Sequence, residues 1–158
     1  MRLAVFSDSH GPIEEIRNSL KKLSPVDYVL FAGDGIDKLV SSSLGREFKI
    51  IAVKGNRDKG AMYPREKTLI VGEKKILVVH GHNHGIKWGL GKLYYKAKEV
   101  GAEIVVFGHT HRRLAEEKEG ILFFNPGSIT APRDKLPPSY GLLEIEDGEV
   151  DYYHYNAE

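Results

Sequence analysis

Cysteine is absent from this chain of 158 residues. That excludes disulfides, thiolate nucleophiles, iron–sulfur clusters and cysteine-type zinc sites, and it fits a reducing cytoplasm. Glutamine is absent as well, while Lys and Glu are abundant, a bias shared with hyperthermophile proteins. No apolar run approaches the ~18 residues of a membrane span. An excess of one charge is missing too: 23 basic and 22 acidic residues leave a formal net charge of +1. No broad electrostatic surface for nucleic acid or membrane is therefore expected. The apolar stretch from Leu3 reaches Asp8 too soon for a signal peptide, so the expected location is cytoplasmic. The length favours one domain over residues 1–158, large enough to bury roughly 70% of its unfolded surface without a covalent staple.

Histidine, in contrast, is concentrated. Six of the seven histidines lie in Asp8-Ser9-His10, His80-Gly81-His82-Asn83-His84 and Gly108-His109-Thr110-His111. Each run follows an apolar, β-like stretch. Two further stretches of that kind run into Gly33-Asp34 and Gly55-Asn56-Arg57-Asp58. Strands that end in polar ligands place them just beyond their C-terminal ends, where open α/β sheets put their ligand crevice. Carboxylates and imidazoles without thiolate suit divalent ions of intermediate hardness, such as Mn, Fe, Ni or Zn.

The periodicity gives an order of elements. Residues 2–7, 27–32 and 48–53 read as strands. Residues 12–23 read as an amphipathic helix with Ile13, Ile16, Leu20 and Leu23 on one stripe, and 36–44 as a shorter helix. Pro12 suits a first helical turn and Ser24-Pro25 a stop. Beyond them the pattern changes to hairpins about Gly72-Glu73, Glu119-Gly120 and Asp147-Gly148, the last a type I′ signal. A helix over 88–100 and a strand over 103–107 lie between the first two hairpins, and 130–139 reads as a loop. A β-α-β-α-β start with right-handed crossovers, finishing in hairpins, predicts an α/β fold. Its form is a four-layer α-β-β-α sandwich: two mixed β-sheets face to face, flanking helices, and a dimetal site at strand C-terminal ends.

Two divalent ions about 3.5 Å apart need one bridging group and about three further protein ligands each. Asp8, His10, Asp34, Asn56, His80, His109 and His111 supply seven side chains. A carboxylate bridges well, and Asp34 stands centrally in this order. Asn56 is neutral and moderates the charge.

The five runs, in this order and strand context, resemble the motifs of the calcineurin-like metallophosphoesterases. The short length, His80-Gly81-His82 and Asn125-Pro126-Gly127-Ser128 resemble a compact branch of that superfamily. This branch holds small bacterial and archaeal phosphodiesterases and the retromer subunit of the same fold. The resemblance implies one ion held by Asp8, His10, Asp34 and His111. It implies a second held by Asp34, Asn56, His80 and His109, with Asp34 bridging. Mn or Ni is the expected metal, with Co, Fe, Zn or Mg as alternatives. The implied activity is phosphodiester hydrolysis by a metal-bridging hydroxide, with Asn56, Arg57, Asp58 and His80 as catalytic residues. Phosphomonoesterase, nucleotide phosphatase and a catalytically weak metal-binding scaffold are the alternatives.

One position departs from the family pattern. Many members have His after the motif Asn, and this chain has Arg57. Arginine forks onto two phosphate oxygens but cannot serve as a general acid, so Arg57 is expected to bind phosphate. Asp58 is expected to orient a neighbour.

Other features carry plainer expectations. His82 is either a structural hydrogen-bonder or a substrate contact, His84 a surface residue and His154 an exposed strand residue. Trp88, Tyr94 and Tyr95 are expected to pack a helix, with substrate stacking as the alternative. Asn125-Pro126-Gly127-Ser128 reads as a turn supporting the site wall. Arg133 and Lys135 read as solvated, with a phosphate contact as the alternative. Gly33, Gly55, Gly81 and Gly108 serve tight turns near the site. The expected partner is a small phosphoester, with no stable nucleic-acid complex, no membrane, and homo-oligomerisation left open.

Overall fold

The computed structural model describes residues 1–60 and 62–157. Its elements run β1 (Arg2–Phe6), α1 (Glu14–Leu23), β2 (Tyr28–Phe31), α2 (Ile36–Ser41), α3 (Leu44–Glu47), β3 (Ile50–Ala52), β4 (Glu66–Val71) and β5 (Lys74–Val79). A 3₁₀ turn, Ile86–Trp88, then precedes α4 (Gly91–Val100), β6 (Ile104–Val106), β7 (Arg113–Lys118), β8 (Ile121–Pro126), β9 (Ser139–Glu146) and β10 (Glu149–Asn156).

The strands form two five-stranded mixed sheets, ordered β10-β9-β1-β2-β3 and β4-β5-β6-β8-β7. β1, β2 and β3 are parallel, and the hairpin of β9 and β10 joins antiparallel at the β1 edge. In the second sheet β5, β6 and β8 are parallel, with β4 and β7 antiparallel on the outside. Each hairpin turn has both central residues at positive φ: Gly72 and Glu73, Glu119 and Gly120, Asp147 and Gly148. That is the type I′ geometry, whose twist matches the strands it joins.

Strand alternation sorts the core into three layers. Ala4 and Phe6 of β1 face Ile16 and Leu20 of α1, while Leu3 and Val5 face the other sheet. Likewise Ile76 and Val78 of β5 point between the sheets, and Leu77 and Val79 pack under Leu93 and Ala97 of α4. Both faces of the central strands are buried, so they read as continuous apolar runs. The expected α-β-β-α arrangement is what the chain adopts.

Two helices differ from the sequence reading. The span 36–44 is two short helices, because Ser42 is extended (φ −84°, ψ 166°). Its hydroxyl donates to Leu39 O at 2.6 Å and accepts from Leu44 N at 3.3 Å, a side-chain alternative to the helical ladder. The helix expected over 88–100 begins at Gly91, since Gly89 at φ 127° cannot continue a helix. Consequently the aromatic group is not helix packing. Trp88 is 94% exposed and Tyr95 73%, and only Tyr94 leans on the core and bonds Glu119.

His154 is a second correction, being half-buried rather than exposed. It pairs across the ladder with Gly141, whose missing side chain admits the Phe124 ring. That ring stacks on the imidazole at 4.6 Å, and Nε2 lies 2.7 Å from Asn125 O. Among the described residues no helix is long and apolar enough to cross a membrane.

Leu30 lies between the sheets with no exposed surface. Leu30→Ala should lower the unfolding free energy by about 2–5 kcal/mol through lost burial and a residual cavity, read from urea midpoints.

Candidate metal centre

Five strands end at one place. Asp8 and His10 follow β1, Asp34 follows β2, and Asn56 follows β3. His80 follows β5, and His109 and His111 follow β6. The chain turns sharply there. Asp8 (φ 54°), Asp34 (φ 63°), His109 (φ 71°) and His111 (φ 58°) all occupy the left-handed region. Such conformations in side-chain-bearing residues are uncommon and persist where the surroundings over-determine them.

The surroundings do so with polar bonds. Asp58 accepts from four backbone N–H groups: Gly55 at 2.7 Å, Asp34 and Gly35 at 2.8 Å, and Ile36 at 3.1 Å. It thereby ties the loop after β2 to the loop after β3. Both its oxygens are engaged with main chain, so Asp58 orients its neighbours, the second of the two roles expected of it, and is an anchor rather than a catalytic contact. Asp34 Oδ1 accepts from Arg57 N at 2.9 Å. Asp8 Oδ2 accepts from Ser7 Oγ at 2.8 Å and His109 N at 3.0 Å. Close approach of backbone makes this feasible. A Cβ on Gly55 would stand 2.2 Å from Asp34 Oδ1, and one on Gly108 would stand 2.7 Å from Asp8 Oδ2.

Two imidazoles are oriented by backbone carbonyls. His80 Nδ1 donates to Ala32 O, and His111 Nδ1 donates to Ala131 O, each at 2.7 Å. Both rings therefore turn Nε2 inward. His80 Nε2 lies 2.9 Å from Asn56 Oδ1, 3.3 Å from Asp34 Oδ2 and 3.8 Å from Asp8 Oδ1. His111 Nε2 lies 3.3 Å from Asp8 Oδ1. His10 stacks on His111 with centroids 5.0 Å apart. His109 stands edge-on to His80 at 5.1 Å, and His82 lies 5.4 Å from His80.

The electrostatics follow from this crowding. Burial pushes the Asp34 carboxyl up, but His80 and the Arg57 N–H prevail and hold it at about 2. Burial pulls His80 down, and the Asp34 and Asp8 carboxylates overcome it, so its pKa is raised. His111 is raised chiefly by Asp8. His109 is pulled to about 4 by burial and then by neighbouring His80 and Lys87.

Asp8 Oδ1 is the telling atom. It is buried and accepts no regular hydrogen bond, with the Nε2 atoms of His111 and His80 facing it at 3.3 and 3.8 Å. Leaving a carboxylate oxygen unpaired in the interior costs free energy unless a cation meets it. Ligand atoms of Asp8, His10 and His111 gather within 4.8 Å of one another, as do those of Asp8, Asp34 and His80. Carboxylates and inward-facing imidazole nitrogens are a donor set that fits divalent metal. Asp8, rather than Asp34, is common to both groups, and His109 belongs to neither.

Several supporting groups escaped the sequence reading. The carbonyls of Ala32 and Ala131 have no sequence signature. Ser7 was hidden inside a strand pattern. Thr130 Oγ1 accepts from His10 N at 2.8 Å. The Asn125–Ser128 stretch does brace the wall, although β8 runs through Pro126. Asn125 Nδ2 donates to Gly108 O and Thr110 Oγ1, and Ser128 Oγ donates to Asp8 O. Arg57, Arg133 and Lys135 are exposed, and His84 is half-buried.

Comparison with known proteins gives the same picture. A profile of the calcineurin-like phosphoesterase superfamily domain matches residues 1–148. The "probable metallophosphoesterase YsnB" of Bacillus subtilis is 38% identical over 157 residues, covering 99% of this chain and 91% of that protein. A Streptococcus pneumoniae protein, described as a predicted phosphoesterase, superposes with TM-score 0.79 at 30% identity, covering 98% of this chain and 97% of the other. Vps29 of Entamoeba histolytica, solved in complex with Zn²⁺, superposes with TM-score 0.78 at 25% identity over 100% of both chains.

Asp58→Ala would leave four backbone donors without their shared acceptor. The expected loss is roughly 3–5 kcal/mol of stability, larger than for an ordinary surface carboxylate such as Asp37. Parallel urea unfolding of the two variants measures the difference, and equal losses would remove the anchoring role.

Proposed function

This chain belongs to the calcineurin-like phosphoesterase superfamily, and within it we propose a dimetal-dependent phosphodiesterase acting on small phosphoesters. The observation that carries the reading is the buried Asp8 carboxylate, shared by two clusters of carboxylate and imidazole and left with one oxygen that accepts no regular hydrogen bond. The relative solved with Zn²⁺ supports a divalent metal in this fold. We assign one ion to Asp8, His10, Asp34 and His111, and the other to Asp34, Asn56, His80 and His109. Mn²⁺ and Ni²⁺ are the preferred metals.

Ions bound here would supply water of lowered pKa and charge neutralisation on the phosphoryl oxygens. The residues of this chain do the rest. The reaction breaks one ester P–O bond and forms one P–O bond to water. Arg57 is exposed at the rim, and its charge lowers the pKa of His10, so it reaches the centre electrostatically. It clamps non-bridging phosphate oxygens in the fork geometry that suits guanidinium. No protein acid is assigned to the leaving group, which takes its proton from solvent. Good leaving groups should therefore react best. Room for both substituents of a diester favours that substrate over a monoester. A cavity of about 300 Å³ is lined by His80 with Arg65, His82, Asn83 and His84, and another of about 700 Å³ is lined in part by Thr110, the residue between His109 and His111. A cytoplasmic location is part of the proposal. The cysteine-free composition supports it.

The direct test is a panel assay. Metal-stripped protein is reconstituted with Mn, Ni, Co, Mg or Zn and offered model monoesters and diesters. Metal-dependent hydrolysis with diesters preferred is expected. Preference for monoesters would select the phosphatase reading, and metal binding without turnover would select a scaffold.

The bridge is tested by elemental analysis. Asp34→Ala should empty both positions, whereas Asp8→Ala should retain one ion. The reverse pattern would make Asp8 the bridge, in line with its place in both clusters.

Arg57→Ala should keep the metal content and lower kcat/KM by roughly 30- to 150-fold, corresponding to about 2–3 kcal/mol for a bidentate charged contact. The defect should be flat across aryl diesters of graded leaving-group pKa. A defect growing steeply with leaving-group basicity would assign Arg57 to leaving-group departure instead.

A further inference from the structure

We propose that the 700 Å³ cavity binds one arm of the diester, and that this arm carries a flat apolar ring together with a second anionic group, as a nucleoside bisphosphate does. The proposal rests on the phosphodiesterase reading for what happens to the bound substrate, but the cavity's chemistry stands on its own.

The volume, about 700 Å³, is in the range of sites for drug-sized ligands. Its floor is apolar: Ile86, Leu90, Phe107 and Leu114 line it, with Phe107 1% exposed and Ile86 7%. A flat ring is the group such a floor accepts. The rim is cationic. Lys87, Arg112 and Arg133 line the cavity, are exposed, and enter no ion pair or side-chain hydrogen bond among the described residues. Glu116 is the single carboxylate facing them. Arg113, in contrast, is occupied by Asp134, Pro137 O and Asn156. Three free cations exceed what one phosphodiester charge at the metal centre calls for, and a second anion answers them.

The cavity is lined by residues that adjoin the centre. Thr110, which lines it, stands between His109 and His111, and Arg133 N donates to His111 O at 2.9 Å. Phosphorus at the metals and an arm in the cavity can therefore belong to one molecule. Trp88, the chain's only tryptophan, stands 94% exposed between Lys87 and Gly89, two lining residues. It provides an intrinsic fluorescence signal for occupancy.

The experiment has two arms. In the first, the Mn²⁺-loaded protein is given methyl p-nitrophenyl phosphate, the p-nitrophenyl ester of thymidine 5′-phosphate, and the p-nitrophenyl ester of thymidine 3′,5′-bisphosphate. kcat/KM should rise by about tenfold at each step, as apolar burial and then charge-assisted contacts are added. The Lys87→Ala/Arg112→Ala variant should lose the second step specifically, shrinking the ratio between the last two esters. Both positions are exposed, and matching thermal midpoints confirm the fold. In the second arm, metal-free protein is titrated with thymidine 3′,5′-bisphosphate while Trp88 fluorescence is followed, with inorganic phosphate as control. A saturable change with the bisphosphate and none with phosphate at the same concentration is expected.

Equal kcat/KM on all three esters with no fluorescence change would overturn the cavity assignment while leaving the phosphodiesterase reading intact. A fluorescence change reproduced by phosphate alone would also overturn it, reducing the cavity to an anion site. Saturable bisphosphate binding without hydrolysis of any ester under any metal would support the cavity and overturn the phosphodiesterase reading. No hydrolysis of any ester together with no fluorescence change overturns both.

Discussion

Four backbone N–H groups from two loops converge on a single carboxylate, that of Asp58. Much of the centre depends on this convergence. A chain leaving a parallel strand has no partner for its next amides, and unpaired buried amides are costly. Asp58 satisfies those of Asp34, Gly35 and Ile36, and in doing so fixes the left-handed turn that aims Asp34. Because Asp58 sits three residues beyond Gly55, the same bonds fix Asn56 and Arg57. The return bond, from Arg57 N to Asp34 Oδ1, closes the loop pair. One side chain that bonds only main chain thus sets the positions of Asp34, Asn56 and Arg57.

The site also spans both sheets. Asp8, His10, Asp34 and Asn56 follow strands of the first sheet, and His80, His109 and His111 follow strands of the second. Packed sheets lie roughly 10 Å apart, a distance set by interdigitating side chains. Here those are Leu3, Val5 and Leu30 against Ile76, Val78 and Val106. The separation between acidic and imidazole halves of the centre is therefore a consequence of core volume. A methylene lost between the sheets is felt at the ligands as well as in stability.

Much of this was legible in the sequence because two periods coincide there. Continuous apolar runs marked strands buried on both faces, and the polar residues just beyond them marked the crevice. The parallel start, the three hairpins, the four layers and the gathering of Asp8, Asp34, His80 and His111 follow from that. What escaped depends on contacts that periodicity does not encode. The break at Ser42 comes from a side chain bonding its own backbone, and the late start of α4 from one glycine's φ. His154 reads as exposed because alternation says nothing of the gap opposite Gly141. Asp58 looked catalytic by its company in the motif, yet only the tertiary structure reveals that main chain takes both its oxygens. The carbonyls of Ala32 and Ala131 are silent in any sequence.

Those carbonyls explain why histidine serves here. An imidazole has two nitrogens, and a carbonyl accepting from one leaves the other free to face inward. His80 and His111 are each held this way by a carbonyl of another segment, Ala32 just past β2 and Ala131 in the loop after β8. Lys or Arg at those positions would fill the site with its own charge, and Asn would lack the reach. Around these rings the chain accepts positive φ at four polar residues and an Asp8 oxygen that accepts no regular hydrogen bond. Each departure costs stability by itself, and the surrounding three-layer core is what sustains them together. The centre is therefore the part of the molecule least explained by folding and most in need of a cation to complete it.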